Sequence, residues 1–264
     1  MRKVLSVQDL SCVGKCSLTV ALPVLSAMGC ACSVLPTAVL STHTAFPTPY
    51  VRSMTQEIAP VCDHWQAVGM TFDVISVGYL SDPAQAEAVE QLLEKFPAFT
   101  VLDPAMGDGG RLYSGLEEQH VAAMKRLCAK ADVLLPNVTE ACLLTGIPYR
   151  QTAELSYYRQ LLDALKTFVP AVVLTGVTAE AGKTGFLTQD GFLYQADKLP
   201  GHYHGTGDLF TAVLTGGVAK GKSLHTAAVL AAKFVEQVLQ NTKKETPFGV
   251  EFESQLPWLW ENLQ

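Results

Sequence analysis

Short β-branched or apolar runs recur along the chain, at residues 4–7, 33–39, 74–77, 100–102, 133–135 and 172–174, and stretches with helical spacing separate most of them. That alternation constrains the fold more than any other feature. Strands joined through helices run parallel, and a parallel sheet needs helices on both faces to cover it. Asp82-Pro83 opens one such helix, a capping residue followed by Pro at the first helical position. Leu224, Ala227, Ala228, Ala231, Phe234, Val235 and Val238 form another apolar stripe of period 3.6. Residues 184–197 differ: two short strands flank Gln189-Asp190-Gly191, an Asp-Gly hairpin signal. No linker rich in Pro, Gly or Ser divides the chain, and no internal repeat is visible. The expectation is one domain over residues 1–264, a three-layer, doubly wound, mostly parallel α/β sheet with helices on both faces.

Composition narrows the partners. With 48% hydrophobic and 17% charged residues the chain has ample core material, which excludes disorder and low-complexity scaffolds. A net charge of −6 gives no general attraction for a phosphate backbone, so no nucleic acid is expected as partner. An anionic ligand must instead be held by locally placed donors or a metal. The seven cysteines include no Cys-x-x-Cys pair, and most lie in apolar runs, as small buried hydrophobes do. Reduced thiols in a cytoplasmic enzyme explain them better than a metal or redox set at Cys12/Cys16 or Cys30/Cys32. The apolar run behind Met1-Arg2-Lys3 stops at Gln8-Asp9, too short for an export signal. No stretch reaches the roughly 18 apolar residues of a membrane span.

In doubly wound sheets ligands collect at the carboxyl ends of the strands. Four clusters stand there: Gln8-Asp9, residues 103–113, residues 137–140 and residues 205–208. Standard nucleotide motifs fail. Asp9, Gly14, Lys15 and Cys16 have Walker A spacing without its first Gly, and with Cys where Ser or Thr is needed. Gly205-Thr206-Gly207 starts like a dinucleotide fingerprint, but Phe210 takes the third glycine position. What Gly205-Thr206-Gly207-Asp208 does offer is unobstructed N–H groups ahead of a helix, an anion site that needs no basic side chain. Asp208 in the first turn can accept a proton from an attacking hydroxyl, or it can simply cap the helix. Asp103 and Asp108, five residues apart in a loop with three glycines, suit a hydrated Mg²⁺ or ordinary turns. Arg111 and Tyr113 can add donors to phosphate oxygens. Asn137 and Glu140 have the spacing of a capping box, while Glu140 also suits a metal-bound water.

Taken together, the order Asp-Pro-x-Met-Gly-Asp-x-Gly, Pro-Asn-x-x-Glu and Gly-Thr-Gly-Asp resembles the ribokinase superfamily of ATP-dependent kinases. Ser6-Val7-Gln8, Ser41-Thr42-His43-Thr44, Gly78-Tyr79-Leu80, residues 103–113 and Pro136-Asn137-Val138-Thr139-Glu140 are similar, within it, to the vitamin B6 (pyridoxal/pyridoxamine) kinases. The resemblance runs from about residue 3 to about residue 240. It implies a ribokinase-like fold and transfer of the ATP γ-phosphate to the 5′-hydroxymethyl group of a pyridine vitamer. Asp208 would be the base, and the amides of Gly205, Thr206 and Gly207 the anion hole. Asp103, Asp108 and Glu140 would organise Mg²⁺ and its waters, with room for a monovalent cation. Asp103, Tyr113, Asn137, Thr175, Gly176, Gly205 and Gly207 would face the nucleotide, and Thr44, Tyr79, Asp208 and Asp9 the vitamer. A homodimer is implied by the resemblance alone.

Asp9 departs from the pattern, since many of these kinases carry Ser-His where this chain has Asp9-Leu10. It either caps a helix beginning near Gly14 or faces the vitamer and favours a cationic group on it. Rival readings are a kinase of the hydroxymethylpyrimidine precursor of thiamine, which usually carries Cys in place of Asp208, a sugar kinase, and a non-catalytic vitamer binder. A binder has no use for a base. His64, His120 and His225 read as ordinary helix residues, Trp258 and Trp260 as anchors of a final helix, and His202 and His204 as neighbours of the nucleotide.

Overall fold

The structure is a computed structural model that describes residues 1–201, 203–242 and 247–263. Its elements follow in the order β1 (Lys3–Ser11), α1 (Leu18–Ala27), β2 (Ala31–Leu40), β3 (Val51–Ser53), α2 (Thr55–Ala67), β4 (Val74–Val77), α3 (Pro83–Lys95) and β5 (Phe99–Leu102). A small hairpin, β6 (Gly107–Asp108) and β7 (Arg111–Leu112), precedes α4 (Glu118–Cys128), β8 (Val133–Leu134), α5 (Val138–Thr145), α6 (Leu155–Leu165) and β9 (Ala171–Val177). β10 (Lys183–Thr188), β11 (Leu193–Asp197), α7 (Thr206–Ala219), α8 (Leu224–Asn241) and α9 (Leu256–Asn262) complete the described chain.

Among the described residues the main sheet has nine strands, ordered β11-β10-β9-β8-β5-β4-β1-β2-β3. The six inner strands pair in parallel, while β3, β10 and β11 add antiparallel edges. β1 sends β2 to one side and β4 to the other, so the strand order reverses there. Its carboxyl end is the crevice where such a sheet accepts a ligand.

Alternation along the strands explains why their sequences look uniformly apolar. Val4, Val74, Val101, Val133 and Val173 pack toward α1, α7 and α8, whereas Leu5, Ile75, Leu102, Leu134, Val172 and Leu174 pack toward α2–α6. Both sides of each strand are buried, and each such side chain contributes roughly 1.5–3 kcal/mol on burial. α7 lies deepest among the helices, with an almost unbroken buried run from Leu209 to Gly217. Its glycines allow that depth: a Cβ on Gly216 would come within 2.4 Å of Met28 Sδ, and one on Gly217 within 2.9 Å of Ala227 Cβ. The packing fixes the helix whose first turn carries Asp208.

The helix signals at Asp82-Pro83 and Leu224–Val238 correspond to α3 and α8, and the Asp-Gly hairpin is β10–β11. Two expectations need correction. Asp9 does not follow the first strand or cap a helix near Gly14. β1 runs on to Ser11, Asp9 sits at a register shift between Gln8 and Leu10, and α1 starts only at Leu18. A polar residue at a bulge can be turned toward a site while the strand continues. Trp260 is 58% exposed, so α9 is anchored by buried Leu259 and by Trp258, whose ring stacks on Phe234. His202 lies outside the described residues.

Candidate active site

The carboxyl ends of β5, β8 and β9 and the start of α7 enclose a cleft of about 550 Å³. At its head Gly205 adopts φ 87°, and a Cβ there would stand 2.3 Å from the Lys15 carbonyl oxygen. Only glycine fits this approach. α7 then begins at Thr206, so its first-turn amides, which have no acceptor within the helix, open onto the cleft beside Asp208. The Lys15 segment is a junction: its N–H donates to Phe248 O at 2.8 Å, and Gly205 and Gly249 both rest on its carbonyl.

On the opposite wall Asn137 and Glu140 form the capping box of α5. The Asn137 side chain accepts from the Glu140 N–H at 3.0 Å, and Glu140 Oε2 accepts from the Asn137 N–H at 2.8 Å. The box also reaches outward. Glu140 Oε1 accepts from the Met106 N–H at 3.2 Å, Asn137 Nδ2 donates to Gly107 O at 2.8 Å, and Thr139 Oγ1 accepts from the Gly110 N–H at 2.9 Å. One helix start therefore pins the whole glycine-rich hairpin. Asp103 accepts from Thr211 Oγ1 of α7 at 2.8 Å, which ties the two walls together.

The carboxylates crowd one another with little cationic charge nearby. Burial, then Asp103 and Asp9, push the Asp208 carboxyl up to about 8, against a lowering bond from the Ser17 N–H. Burial raises Asp103 to about 6, and burial and then Asp103 hold Glu140 well above the usual carboxylate range. Burial, followed by Glu140 and Asp103, also raises the Tyr113 hydroxyl, which keeps it a donor. Burial and then Asp208 and Asp9 push the Cys16 thiol up to about 12, so it is neither a thiolate nor a ready metal ligand. Lys198 is the one Lys or Arg among the described residues of the lining. The far wall is apolar: Phe186, Tyr194, Phe210, Val235 and Leu239 line it, with the Phe186 and Tyr194 rings stacked at 5.5 Å.

A second group of polar residues gathers at the end of β1. Asp9 is buried, accepts from Ser11 Oγ at 3.2 Å and from the Ser17 hydroxyl, and is raised chiefly by burial. Ser17 occupies φ 48°, ψ −127°, a region that costs a non-glycine residue about 1–3 kcal/mol. Nearby, His43 Nε2 lies 2.6 Å from Pro247 O, its ring edge would strike a Cβ on Gly14 at 2.3 Å, and Phe46 and His204 pack on it.

Comparison with known proteins agrees with this architecture. Residues 22–250 match the family described as phosphomethylpyrimidine kinase. The chain belongs to that family. The crystal structure of pyridoxal kinase from Lactobacillus plantarum superposes with a TM-score of 0.92 at 35% identity, covering 99% of this chain and 97% of that one. The pyridoxine/pyridoxal/pyridoxamine kinase of Bordetella pertussis is 29% identical over 91% of this chain and 89% of its own length. The hydroxymethylpyrimidine/phosphomethylpyrimidine kinase of Bacillus subtilis is 29% identical over 77% and 74%. The fold is the ribokinase-like one of these kinases.

Of the family-type residues read from the sequence, Asp103, Asp108, Tyr113, Asn137, Glu140, Thr175, Gly176, Gly205, Thr206, Gly207 and Asp208 all line the one cleft. Asp9, Thr44 and Tyr79 do not line it. Asp9 nevertheless acts electrostatically on both Asp208 and Tyr79, so it stands between them, while Thr44 is exposed. Arg111 does not line the cleft either. It borders a separate hollow with Lys125 and Tyr149, because β7 leads away from the phosphate side. His204 does line the cleft. Sequence reasoning missed Lys198, the apolar wall from α8, and Ser17. For Ser17 a signal existed, a serine just before a helical run, yet nothing local shows that its hydroxyl turns away from its own helix.

Proposed function

We propose that the chain transfers the γ-phosphoryl group of ATP to the 5′-hydroxymethyl group of a vitamin B6 vitamer, namely pyridoxal, pyridoxamine or pyridoxine. The observation that carries this reading is Asp208, a carboxylate in the first turn of α7 beside amides that face the cleft. Asp208 takes the proton of the acceptor hydroxyl as that oxygen attacks the γ-phosphorus and ADP leaves. The amides of Gly205, Thr206 and Gly207 receive the charge on the transferring group. Lys198 adds a cation to the phosphate chain, Asn137, Thr175 and Gly176 border it, and the apolar wall takes the adenine. One domain over residues 1–264 does this work, as the continuous sheet suggests.

Asp103, Asp108 and Glu140 suit Mg²⁺ held through its waters. Among the described residues no three His, Cys, Asp or Glu side chains converge as direct ligands, and both Glu140 oxygens already accept backbone N–H groups. The mutual crowding of Glu140, Asp103 and Asp208 is what a hydrated divalent cation would relieve. When bound, Mg²⁺ neutralises phosphate charge.

The second reading is phosphorylation of hydroxymethylpyrimidine, which the family match and the Bacillus subtilis relative favour. A coupled assay of ATP consumption with pyridoxal, pyridoxamine, pyridoxine and hydroxymethylpyrimidine side by side decides between them. Turnover of the vitamers at higher kcat/KM supports the first reading; preference for the pyrimidine sinks it.

A further inference from the structure

Ser17 is the N-cap residue of α1, and serine in that place ordinarily bonds an amide of its own helix. Here it makes no such bond. Its hydroxyl donates to Asp9 and its backbone N–H donates to the Asp208 carboxylate, so one buried residue holds both acids. The main chain is bent to allow this. Cys16 to Thr19 form a tight turn closed by Thr19 N–H to Cys16 O at 3.2 Å, with Ser17 at φ 48°, ψ −127°. Those angles are those of the first central residue of a type II′ turn, a place dominated by Gly, Asn and Asp. The capping task passes to Thr19, whose hydroxyl accepts from the Cys16 N–H at 3.2 Å and donates to Cys16 O at 2.7 Å. A serine kept where glycine is favoured, relieved of its usual bond, and joined at both polar groups to carboxylates is placed for something besides the turn.

We propose that Ser17 is a positioning residue for phosphoryl transfer, its N–H aiming Asp208 at the acceptor hydroxyl while its hydroxyl holds Asp9 toward the rest of the acceptor. This rests on the kinase reading above. The turn conformation is then the means by which a single residue sets the separation of the two acids. Neither acid can rotate away without breaking its bond to Ser17.

The test compares the full-length wild type with Ser17→Gly and Ser17→Asn, using ATP and pyridoxal. Glycine suits the turn and keeps the N–H but lacks the hydroxyl. Ser17→Gly is expected to melt no lower than wild type and to keep KM for ATP within about twofold. Its kcat should fall about tenfold, the size of one lost hydrogen bond to a charged group. Asparagine, tolerated in the same turn and carrying a donor, should restore most of that kcat. Wild-type kcat in a Ser17→Gly protein of unchanged or higher melting temperature overturns the proposal, because the residue is then only part of a turn. A second readout needs no turnover. The Ser17 amide resonance should move upfield in Asp208→Asn and stay in place in Asp82→Asn, and an amide that ignores Asp208 also overturns the proposal. A wild type that phosphorylates no vitamer defeats the kinase reading instead, and the amide measurement still decides the placement of Ser17.

Discussion

The two ends of the site are built differently. At the phosphate end, α5 and α7 each begin with a few consecutive residues that do the work locally. The Asn137–Glu140 box spans one helical turn, and the Gly205–Asp208 amides belong to another. At the acceptor end the parts come from distant chain: His43 meets Pro247 across 204 positions, and Lys15 bonds Phe248 and underlies Gly205. Backbone amides at helix starts hold an anion of fixed shape, whereas side chains gathered from several loops can adapt to different rings. The contrast implies that damage at the phosphate end lowers turnover on every acceptor, while damage at the acceptor end redistributes preference.

The largest effect is expected at Asp208. Asp208→Asn should lower kcat at least about 10²-fold with every acceptor while leaving ligand binding within a few-fold, as loss of a general base does. Near-normal turnover in that variant would remove the base from the phosphate end. Gly205→Ala comes next. Its Cβ would meet backbone rather than a side chain tip, and φ 87° is itself strained for alanine, so the amides must shift. A fall in kcat of about 10²-fold fits a displacement near 1 Å, with more than about 1 kcal/mol lost from unfolding stability. Steady-state kinetics and thermal melts measure both.

The pH response sharpens the same end. Asp208 is raised to about 8, above its unfolded value, so the folded state holds a proton there that the unfolded chain has lost. Stability from this group is therefore greatest below the ordinary carboxylate range and declines as pH climbs toward about 8. Metal-free protein should melt higher at pH 5.5 than at pH 8.5, and Asp208→Asn should flatten that slope. Activity runs the other way on its acid side, rising as Asp208 ionises.

Most of the phosphate end was legible in the sequence because its chemistry is contiguous. Asp103, Asn137, Glu140 and Asp208 each follow a strand or open a helix, and strand order alone brings them to one cleft. The acceptor end was not. Nothing local announces that β1 carries a bulge at Asp9, that Lys15 supports Gly205, or that Ser17 turns from its helix to two carboxylates. Arg111 misled for a related reason: its neighbours line the cleft, but a two-residue hairpin reverses direction before it.

The smallest predicted effect tests whether the acceptor end governs preference. Asp9 is buried with two hydroxyl donors, and a cation about 4 Å away would gain roughly 4 kcal/mol at an effective dielectric near 20, before desolvation. A quarter of that shifts preference by about fivefold. The kcat/KM ratio of pyridoxamine over pyridoxal should fall by about that factor in Asp9→Ser. A constant ratio would leave Asp9 as scaffold.

The Lys15 junction limits how such an enzyme can be redesigned. The loop before α1, the turn before α7 and the segment around Phe248 and Gly249 share one carbonyl and one amide, and the Val250 N–H closes the set on His204 O at 3.3 Å. Exchanging one of these loops with that of another kinase would import a ring preference together with a misfit beneath the phosphate turn. A working transplant has to move all three segments as a block, so acceptor choice here behaves as a single heritable cassette assembled from separate stretches of chain.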